Sequence, residues 1–199
     1  MTVNLEFAKS PLGGAKHGGL DKAVLIQEVP FTPGFDLRVD PDSSGFAAVS
    51  QALGLNLNPK VGTVVRNNAA CIVGDELPAA GGISALCLGP DWWYLTGTAD
   101  IQALLKPVQE SHHISLVDVS SQRTKIEVYG PNAKDVLAHY WEQDLRDEHF
   151  PIDACSQGVL AKAPLIMWHC CENCYLLFPR ASFAKHLWTA LTDAAVEYL

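Results

Sequence analysis

The sequence lacks a basic surplus, a long apolar run and the short motifs of several large enzyme classes. Its 14 Lys and Arg residues stand against 22 Asp and Glu residues, which gives a formal net charge of -8. Because a phosphate backbone or an anionic membrane surface attracts a basic face, this charge argues against nucleic acid and membranes as partners. No Gly-x-Ser-x-Gly elbow, Gly-Lys-Ser/Thr phosphate loop or His-Glu-x-x-His pair is present.

The head of the sequence also lacks the apolar run of a secretory signal, so a cytoplasmic location is expected. In that compartment the six cysteines are expected to be reduced thiols and not a disulfide framework. The apolar fraction of 48% is that of a folded protein, and 199 residues suit one well-buried domain.

A repeated order of elements is the most informative feature of the sequence. The stretch from Ser10 to Gly19 reads as an extended lead-in, and Ala23 to Val29 as a first strand. The segments that start at Leu37 and Ile126 then each predict a strand, a proline turn and an amphipathic helix. The segments ISALCLGPDWWYLTG and APLIMWHCCENCYLLFP each predict a hairpin, and each is followed by a helix, the second capped by Ser182.

We therefore expect an α+β fold built from duplicated strand–helix–strand–strand–helix units. The units span approximately residues 20–110 and 114–199, and together they form a single pseudo-symmetric domain, residues 1–199. The alternative is that two generic α+β stretches merely look alike.

One cluster has the composition of a metal or redox site. It comprises His169, Cys170, Cys171 and Cys174. The spacing of Cys171 and Cys174 is that of half a zinc site or of a redox pair, but a second ligand pair is missing and both cysteines flank a hairpin turn instead of opening a helix. The other interpretation is a hairpin tip with soft residues, and we expect it to be metal-free.

Three further residues have two interpretations each. Asp118 ends a strand, where its carboxylate either caps the following turn or contacts a ligand in the groove between the units. Trp92 and Trp93 are adjacent in a strand, so their side chains lie on opposite faces. One of them is expected in the core, and the other is either covered by a helix or anchors a partner. The remaining candidates, His112, His113, His139, His149 and His186, are scattered and predict no catalytic set.

Several blocks in a fixed order resemble the gamma subunits of heterotetrameric sarcosine oxidases, whose fold is that of the folate-binding domain of glycine-cleavage aminomethyltransferases. The blocks are SPL, LGPDWWYL, SQRTKIEVYGPNA, FPIDACSQGVLAKAPLIMW and PRASFAKHLWTALTDAA. The segment HCCENC departs from the polar residues expected there.

The resemblance implies an aminomethyltransferase-like fold without folate chemistry, because the matching stretch GVLAKAPLIMW contains no carboxylate. We expect no catalytic, cofactor-binding or metal-binding residue in this chain. The implied assembly contains alpha, beta and delta subunits that hold FAD, FMN, NAD and zinc. It converts sarcosine to glycine with O2 and tetrahydrofolate, and it yields hydrogen peroxide and methylenetetrahydrofolate.

The alternative is a stand-alone folate-binding protein or a folate-dependent iron–sulfur maintenance protein. Members of the latter group share the fold and carry Lys-Gly-Cys-Tyr-x-Gly-Gln near the place of Cys155, Gln157 and Gly158 here. The Lys-Gly and Tyr residues are missing from this sequence, and those proteins have a further domain.

Overall fold

Helices and strands follow each other in the same order in both halves of the chain. The computed structural model describes residues 9–29, 31, 33–67 and 82–199. After β1 (Lys16–Gly18) and β2 (Leu25–Glu28), the first half comprises β3 (Gly34–Arg38), α1 (Ser44–Leu53), β4 (Val64–Arg66), β5 (Ile83–Gly89), β6 (Trp92–Gly97) and α2 (Ile101–Ser111). After β7 (Ser115–Asp118), the second half comprises β8 (Ile126–Tyr129), α3 (Ala133–Ala138), β9 (Cys155–Leu160), β10 (Ala163–Cys171), β11 (Cys174–Pro179) and α4 (Ala184–Ala194).

The strands form two antiparallel sheets with the same internal order. The first sheet runs β4-β5-β6-β3-β7, and the second runs β9-β10-β11-β8-β2-β1. Each hairpin carries a register shift at the same place, between Cys87 and Gly89 in one and between His169 and Cys171 in the other. The α+β fold with duplicated units is thereby confirmed. Each unit has one strand more than expected, β4 and β9, ahead of its hairpin.

The two halves exchange strands. β2 precedes the first half but pairs with β8 of the second sheet, whereas β7 precedes the second half but pairs with β3 of the first sheet. The strand that precedes each half in the chain therefore belongs to the sheet of the other half. That residues 1–199 form one pseudo-symmetric domain stays a prediction, and this exchange supports it.

The layers follow from the burial pattern. Helices α1 and α2 pack on one face of the first sheet through side chains that include Val49 and Leu105. Helices α3 and α4 pack on one face of the second sheet through side chains that include Val136 and Leu187. The opposite faces of the two sheets share one apolar cluster, so the order of layers is helices, sheet, sheet, helices. No helix among the described residues is both long and apolar enough to cross a membrane.

The helix boundaries have local causes. α1 ends at Gly54, whose left-handed φ of 62° lets its N–H bond back to the carbonyl of Gln51. α2 begins at Asp100, whose carboxylate accepts a hydrogen bond from the backbone N–H of Ala103 at 3.0 Å. Ser182 does not cap α4, because it lies inside a short 3-10 turn at Ala181–Phe183 that precedes the helix.

Two other expectations need correction. The lead-in from Ser10 to Gly19 is not wholly irregular, because β1 forms within it and pairs with β2. The alignment of the two repeats from Leu37 and Ile126, which places Val39 opposite Val128, is also shifted by two residues. Leu37, and not Val39, is the counterpart of Val128, because Leu37 pairs with Trp93 and Val128 pairs with Tyr175 at equivalent places in the two hairpins.

Candidate functional site

The groove between the halves is largely filled by the apolar cluster that the two sheets share, which we call the inter-sheet layer. Its aromatic centre is Tyr94 against Phe178, with ring centroids 5.5 Å apart in an edge-on arrangement. The buried members of the layer are Val29, Val64, Leu86, Leu88, Tyr94, Val119, Cys155, Ile166, Trp168, Cys170, Cys174, Leu176 and Phe178. Because these side chains pack directly against each other, the described residues leave space for a ligand at the margin of the groove.

One open cleft lies where the edge strands of the two sheets meet. There the N–H of Val64 donates to the carbonyl of Asp153 at 2.8 Å, which joins the sheets. The cleft has a volume of about 630 Å³, within the range of small-molecule sites. Its lining residues are Lys60, Val61, Gly62, Thr63, Gln143, Asp144, His149, Phe150, Pro151, Ile152, Asp153, Ala154, Cys155 and Ser156.

Two ionisable groups of this cleft, Asp144 and Cys155, have pKa values far from neutral pH. Hydrogen bonds from Arg146 lower the pKa of the Asp144 carboxyl to about 2. Burial raises the pKa of the Cys155 thiol to about 12, so this sulfur is not a thiolate nucleophile. His149 is exposed, with its Nε2 atom 3.8 Å from Asp144.

Asp153 joins the two halves through its side-chain contacts. Its Oδ1 lies 3.2 Å from Nε of Arg66 and 3.3 Å from Nε1 of Trp168, and its Oδ2 lies 3.3 Å from the second Arg66 nitrogen. The guanidinium of Arg66 also lies 5.5 Å from the centroid of the Trp168 ring. Asp153 itself adopts a left-handed φ of 63°, and its contacts with Arg66 and Trp168 stabilise this backbone conformation. Sequence analysis missed this cluster because its members come from three separate segments.

The histidine and cysteines of the HCCENC segment separate onto two faces of the sheet. His169 lies on the helix side, where its Nδ1 donates to the carbonyl of Phe150 at 2.8 Å and its ring stacks on Tyr175 with centroids 4.6 Å apart. Cys170 and Cys174 lie in the inter-sheet layer, with their Sγ atoms 3.3 Å apart. His169 therefore does not join the cysteines as a ligand.

The sulfur atoms of Cys170, Cys171 and Cys174 lie within 4.8 Å of one another. Cys171 is disulfide-bonded, so the expectation of thiols alone is wrong at this residue, whereas Cys87, Cys155, Cys170 and Cys174 are thiols. The hydrogen bond with Cys170, together with burial, raises the pKa of Cys174 far above its ordinary value. A metal site requires thiolates, and that the cluster is metal-free stays a prediction.

A buried acid next to these thiols was not anticipated. Glu127 is fully buried, accepts from the Cys174 thiol at 3.6 Å and accepts from the Gln27 amide at 2.5 Å. Lys125 lies nearby over the Phe178 ring, and burial lowers the pKa of Lys125 to about 8 although the neighbouring Cys170 opposes this. In the sequence, Glu127 looks like an ordinary exposed residue of a strand, so no signal pointed to it.

Trp92 and Trp93 lie on opposite faces of β6, as the alternation predicts. Trp93 is fully buried under α1 and α2, with Phe46 at a centroid distance of 5.5 Å. Trp92 is half-buried at the margin of the inter-sheet layer, where its Nε1 donates to Asp36 at 3.1 Å and Arg38 lies 4.7 Å from its ring centroid. Among the described residues, neither a helix nor the second sheet covers Trp92 fully, so part of its ring lies at the surface.

Asp118 caps a turn. Its Oδ1 accepts a hydrogen bond from the backbone N–H of Ser120 at 2.9 Å. This contact is the turn cap that the first of its two interpretations predicted. Asp118 lies at the outer edge of the first sheet and does not line the cleft between the halves.

Comparisons with known proteins agree on one family. Residues 38–197 match the model of the sarcosine oxidase, gamma subunit family. The chain is 32% identical over 181 residues to the sarcosine oxidase subunit gamma of Corynebacterium sp. (strain U-96), covering 89% of this chain and 82% of that protein. It is 28% identical over 184 residues to the subunit gamma of Arthrobacter sp., covering 92% and 85%.

Solved structures add the fold. A chain of the heterotetrameric sarcosine oxidase from Corynebacterium sp. U-96 superposes with a TM-score of 0.81 and 30% identity, over 96% of this chain and 95% of that one. The glycine cleavage system aminomethyltransferase T from Bartonella henselae superposes with a TM-score of 0.53 and 13% identity, over 82% of this chain and 44% of that one. The second likeness is one of fold alone.

Proposed function

The chain belongs to the sarcosine oxidase gamma subunit family, and we propose that it is the non-catalytic gamma subunit of a heterotetrameric sarcosine oxidase. Its partners are the alpha, beta and delta subunits. The assembly is an oxidoreductase that acts on a CH–NH donor. It oxidatively demethylates sarcosine to glycine with O2 and tetrahydrofolate, and it produces hydrogen peroxide and methylenetetrahydrofolate.

The observation that carries this proposal is the extent of the structural match. It covers 96% of this chain and 95% of a chain from a heterotetrameric sarcosine oxidase, so the two chains correspond from end to end and not through one shared motif. The cleft geometry supports the non-catalytic part of the proposal. The acids and the thiol that line the cleft are each engaged by neighbours of this chain: Asp144 by Arg146, Asp153 by Arg66, and Cys155 by the carbonyls of Thr63 and Cys87.

Tetrahydrofolate chemistry does not fit the residues of this chain. The stretch from Gly158 to Trp168, where the related transferase fold carries its catalytic acid, contains no carboxylate. Trp168 at its end packs in the inter-sheet layer and donates to Asp153. We therefore propose that this chain takes no part in the tetrahydrofolate chemistry and that the other subunits hold FAD, FMN, NAD and zinc.

The experiment that tests the proposal compares the assembly with and without this chain. The four subunits are co-expressed, and sarcosine-dependent hydrogen peroxide formation is measured for the purified complex, for the complex lacking this chain and for this chain alone. We expect activity in the first and none in the last. Sarcosine oxidation by the isolated chain would contradict the non-catalytic role.

Calorimetry of the isolated chain with tetrahydrofolate and with flavin is the companion measurement, and no tight binding is expected. A micromolar affinity for tetrahydrofolate would instead support a stand-alone folate-binding protein. A cytoplasmic location is part of the same proposal, and cell fractionation of the native host tests it.

A further inference from the structure

The two sheets differ by one strand at corresponding edges. The second sheet ends in β2 followed by β1, whereas the first sheet ends in β7, and no described strand pairs with the outer edge of β7. The first sheet therefore has an open position where the second sheet has β1.

The correspondence of β7 with β2 holds residue by residue. In the first sheet Leu116 pairs with Leu37, and in the second sheet Ile26 pairs with Val128, the counterpart of Leu37. The neighbouring pairs follow the same register, so that Ser115, Val117 and Asp118 occupy the places of Leu25, Gln27 and Glu28. A strand added to β7 in the manner of β1 would be antiparallel to it.

The backbone groups needed for such a strand point outward. The N–H of Val119 donates to the carbonyl of Gly34 at 2.9 Å, which marks this pair as hydrogen-bonded. In an antiparallel ladder the bonded pairs alternate, so the N–H and C=O groups of Leu116 and Asp118 face away from β3. In the second sheet, the N–H of Glu28, the counterpart of Asp118, donates to Ala15 at 2.9 Å.

β7 has little protection along its edge. Native edge strands are commonly blunted by short length, charged side chains, proline or a bulge, and β7 is a four-residue strand with Asp118 at its end but no lysine, proline or bulge. Val117 is 51% exposed at this edge. Asp36 of β3 pairs with Val117, so their side chains are neighbours on one face of the sheet. The next pair on that face is Arg38 of β3 with Trp92 of β6. An apolar residue at an open edge, on the same face of the sheet as a half-buried tryptophan, suits the addition of a strand from a partner.

We propose that an extended segment of another subunit of the oxidase adds to β7 as the sixth strand of the first sheet. This inference rests on the proposed function and specifies where a partner binds. The segment is antiparallel to β7, has an aliphatic side chain beside Val117, and has no proline at the two residues that bond to Leu116 and Asp118. A second copy of this chain is disfavoured because each copy has a net charge of -8.

Hydrogen–deuterium exchange on the assembled oxidase tests the strand addition directly. The peptide covering residues 115–118 is compared with the peptide covering residues 25–28, whose edge β1 already covers, in both the assembly and the isolated chain. We expect assembly to slow exchange at Leu116 and Asp118 at least about tenfold, while the amide of Glu28 stays equally protected in both samples. Equal, fast exchange of residues 115–118 in both samples would overturn the inference and leave the subunit role intact.

Two other occupants are distinguished in the same experiment. If residues 115–118 are already protected in the isolated chain and dilution removes this protection, a second copy of the chain covers the edge. If the protection is instead lost in a variant lacking residues 1–8, this chain's own head covers the edge. Either result overturns the inference. If the wild-type chain co-purifies with no other protein, the proposed function fails as well.

A charged substitution at the edge provides a test of assembly. Val117→Lys places a charge beside the added strand, and we expect it to lower recovery of the complex on the order of tenfold without unfolding the chain. Val159→Lys is the matched control, because Val159 is 42% exposed on β9, an edge strand of the second sheet. Equal recovery of both variants would overturn the inference, as would loss of assembly in the Val159→Lys variant alone.

Discussion

The two halves carry a hydrogen-bonded carboxylate at the same place on their sheets but expose it differently. In the first half, Asp36 accepts from the indole N–H of Trp92 at 3.1 Å, and both side chains are half-buried. In the second half, Glu127 accepts from the thiol of Cys174 and from the amide of Gln27, and all three side chains are buried. The places correspond, because Asp36 pairs with Tyr94 where Glu127 pairs with Leu176.

The covering of the edge strands differs in the same way. In the second half the edge strand β2 is covered by β1, and the polar cluster beneath it is buried, so we call this half the sealed half. In the first half no described strand covers β7, and the polar pair beside it is half-buried, so we call this half the open half. A buried hydrogen-bonded acid favours one fixed structure, whereas the half-buried pair of Asp36 and Trp92 lies on the face where we propose that a partner binds.

The largest expected effect separates the two tryptophans of the first half. Trp93→Ala removes a fully buried side chain from under the helices and is expected to cost about 3–5 kcal/mol of unfolding free energy. Trp92→Ala is expected to leave the chain folded but to weaken binding of the flavin-carrying partner by about 2 kcal/mol or more. Denaturant unfolding and co-purification measure the two effects. Normal folding and assembly of both variants would show that the outward tryptophan is not an anchor.

The second prediction concerns the sealed half and its buried lysine. Burial lowers the pKa of Lys125 from 10.5 to about 8. Below pH 8 both the folded and the unfolded chain hold this proton, and the folded state bears the full cost of the buried charge. Between pH 8 and 10.5 only the unfolded chain holds it, so this residue makes stability rise with pH, on the order of 3 kcal/mol.

Lys125→Met tests this directly, because methionine keeps much of the apolar stem and never carries a charge. The stability advantage of the variant over the wild type is expected to be largest below pH 8 and to shrink toward pH 10.5. The difference between the two proteins is the quantity to measure, since tyrosine and cysteine ionisation affects both alike. A pH-independent difference would contradict the lowered pKa.

The third prediction compares the two carboxylates themselves. Glu127→Ala leaves the buried amide of Gln27 without this acceptor and is expected to cost about 1–3 kcal/mol. Asp36→Ala is the matched control in the open half and is expected to cost about 1 kcal/mol or less, because water replaces the lost contact. Equal losses in urea unfolding would remove the distinction between a sealed and an open half.

The smallest effect is expected at the cluster of Cys170, Cys171 and Cys174 in the sealed half. Elemental analysis of protein purified without affinity metals is expected to find zinc well below one equivalent, because a tetrahedral shell needs four ligands and His169 points away. One equivalent of zinc that is lost in the Cys171→Ser, Cys174→Ser double variant would disprove the metal-free cluster.

Sequence patterns predicted the parts of the fold that depend on local periodicity. Apolar spacing identified α1 through Phe46, Val49 and Leu53, and the alternation of Trp92 and Trp93 correctly placed one ring inside and the other outside. The turn-capping role of Asp118 was one of its two interpretations, the other being contact with a ligand in the groove between the units. These features depend on neighbours a few residues away, so a single sequence contains the signal.

The features that were missed depend on contacts between distant segments. β1 is three residues long and forms only because β2 is beside it, so its glycine-rich sequence shows no periodicity. Glu127 has an exposed-looking strand context, and its burial results from the long-range pairing of β8 with β2 and β11. Asp153 bonds to Arg66, 87 positions away. No local rule predicts such partners.

The decisive test of the subunit role is purification of the tagged wild-type chain from its native host, followed by native mass spectrometry. We expect one complex that contains this chain together with alpha, beta and delta subunits and that oxidises sarcosine. Recovery of this chain alone, or recovery of an active sarcosine oxidase from the same cells without it, would contradict the subunit role.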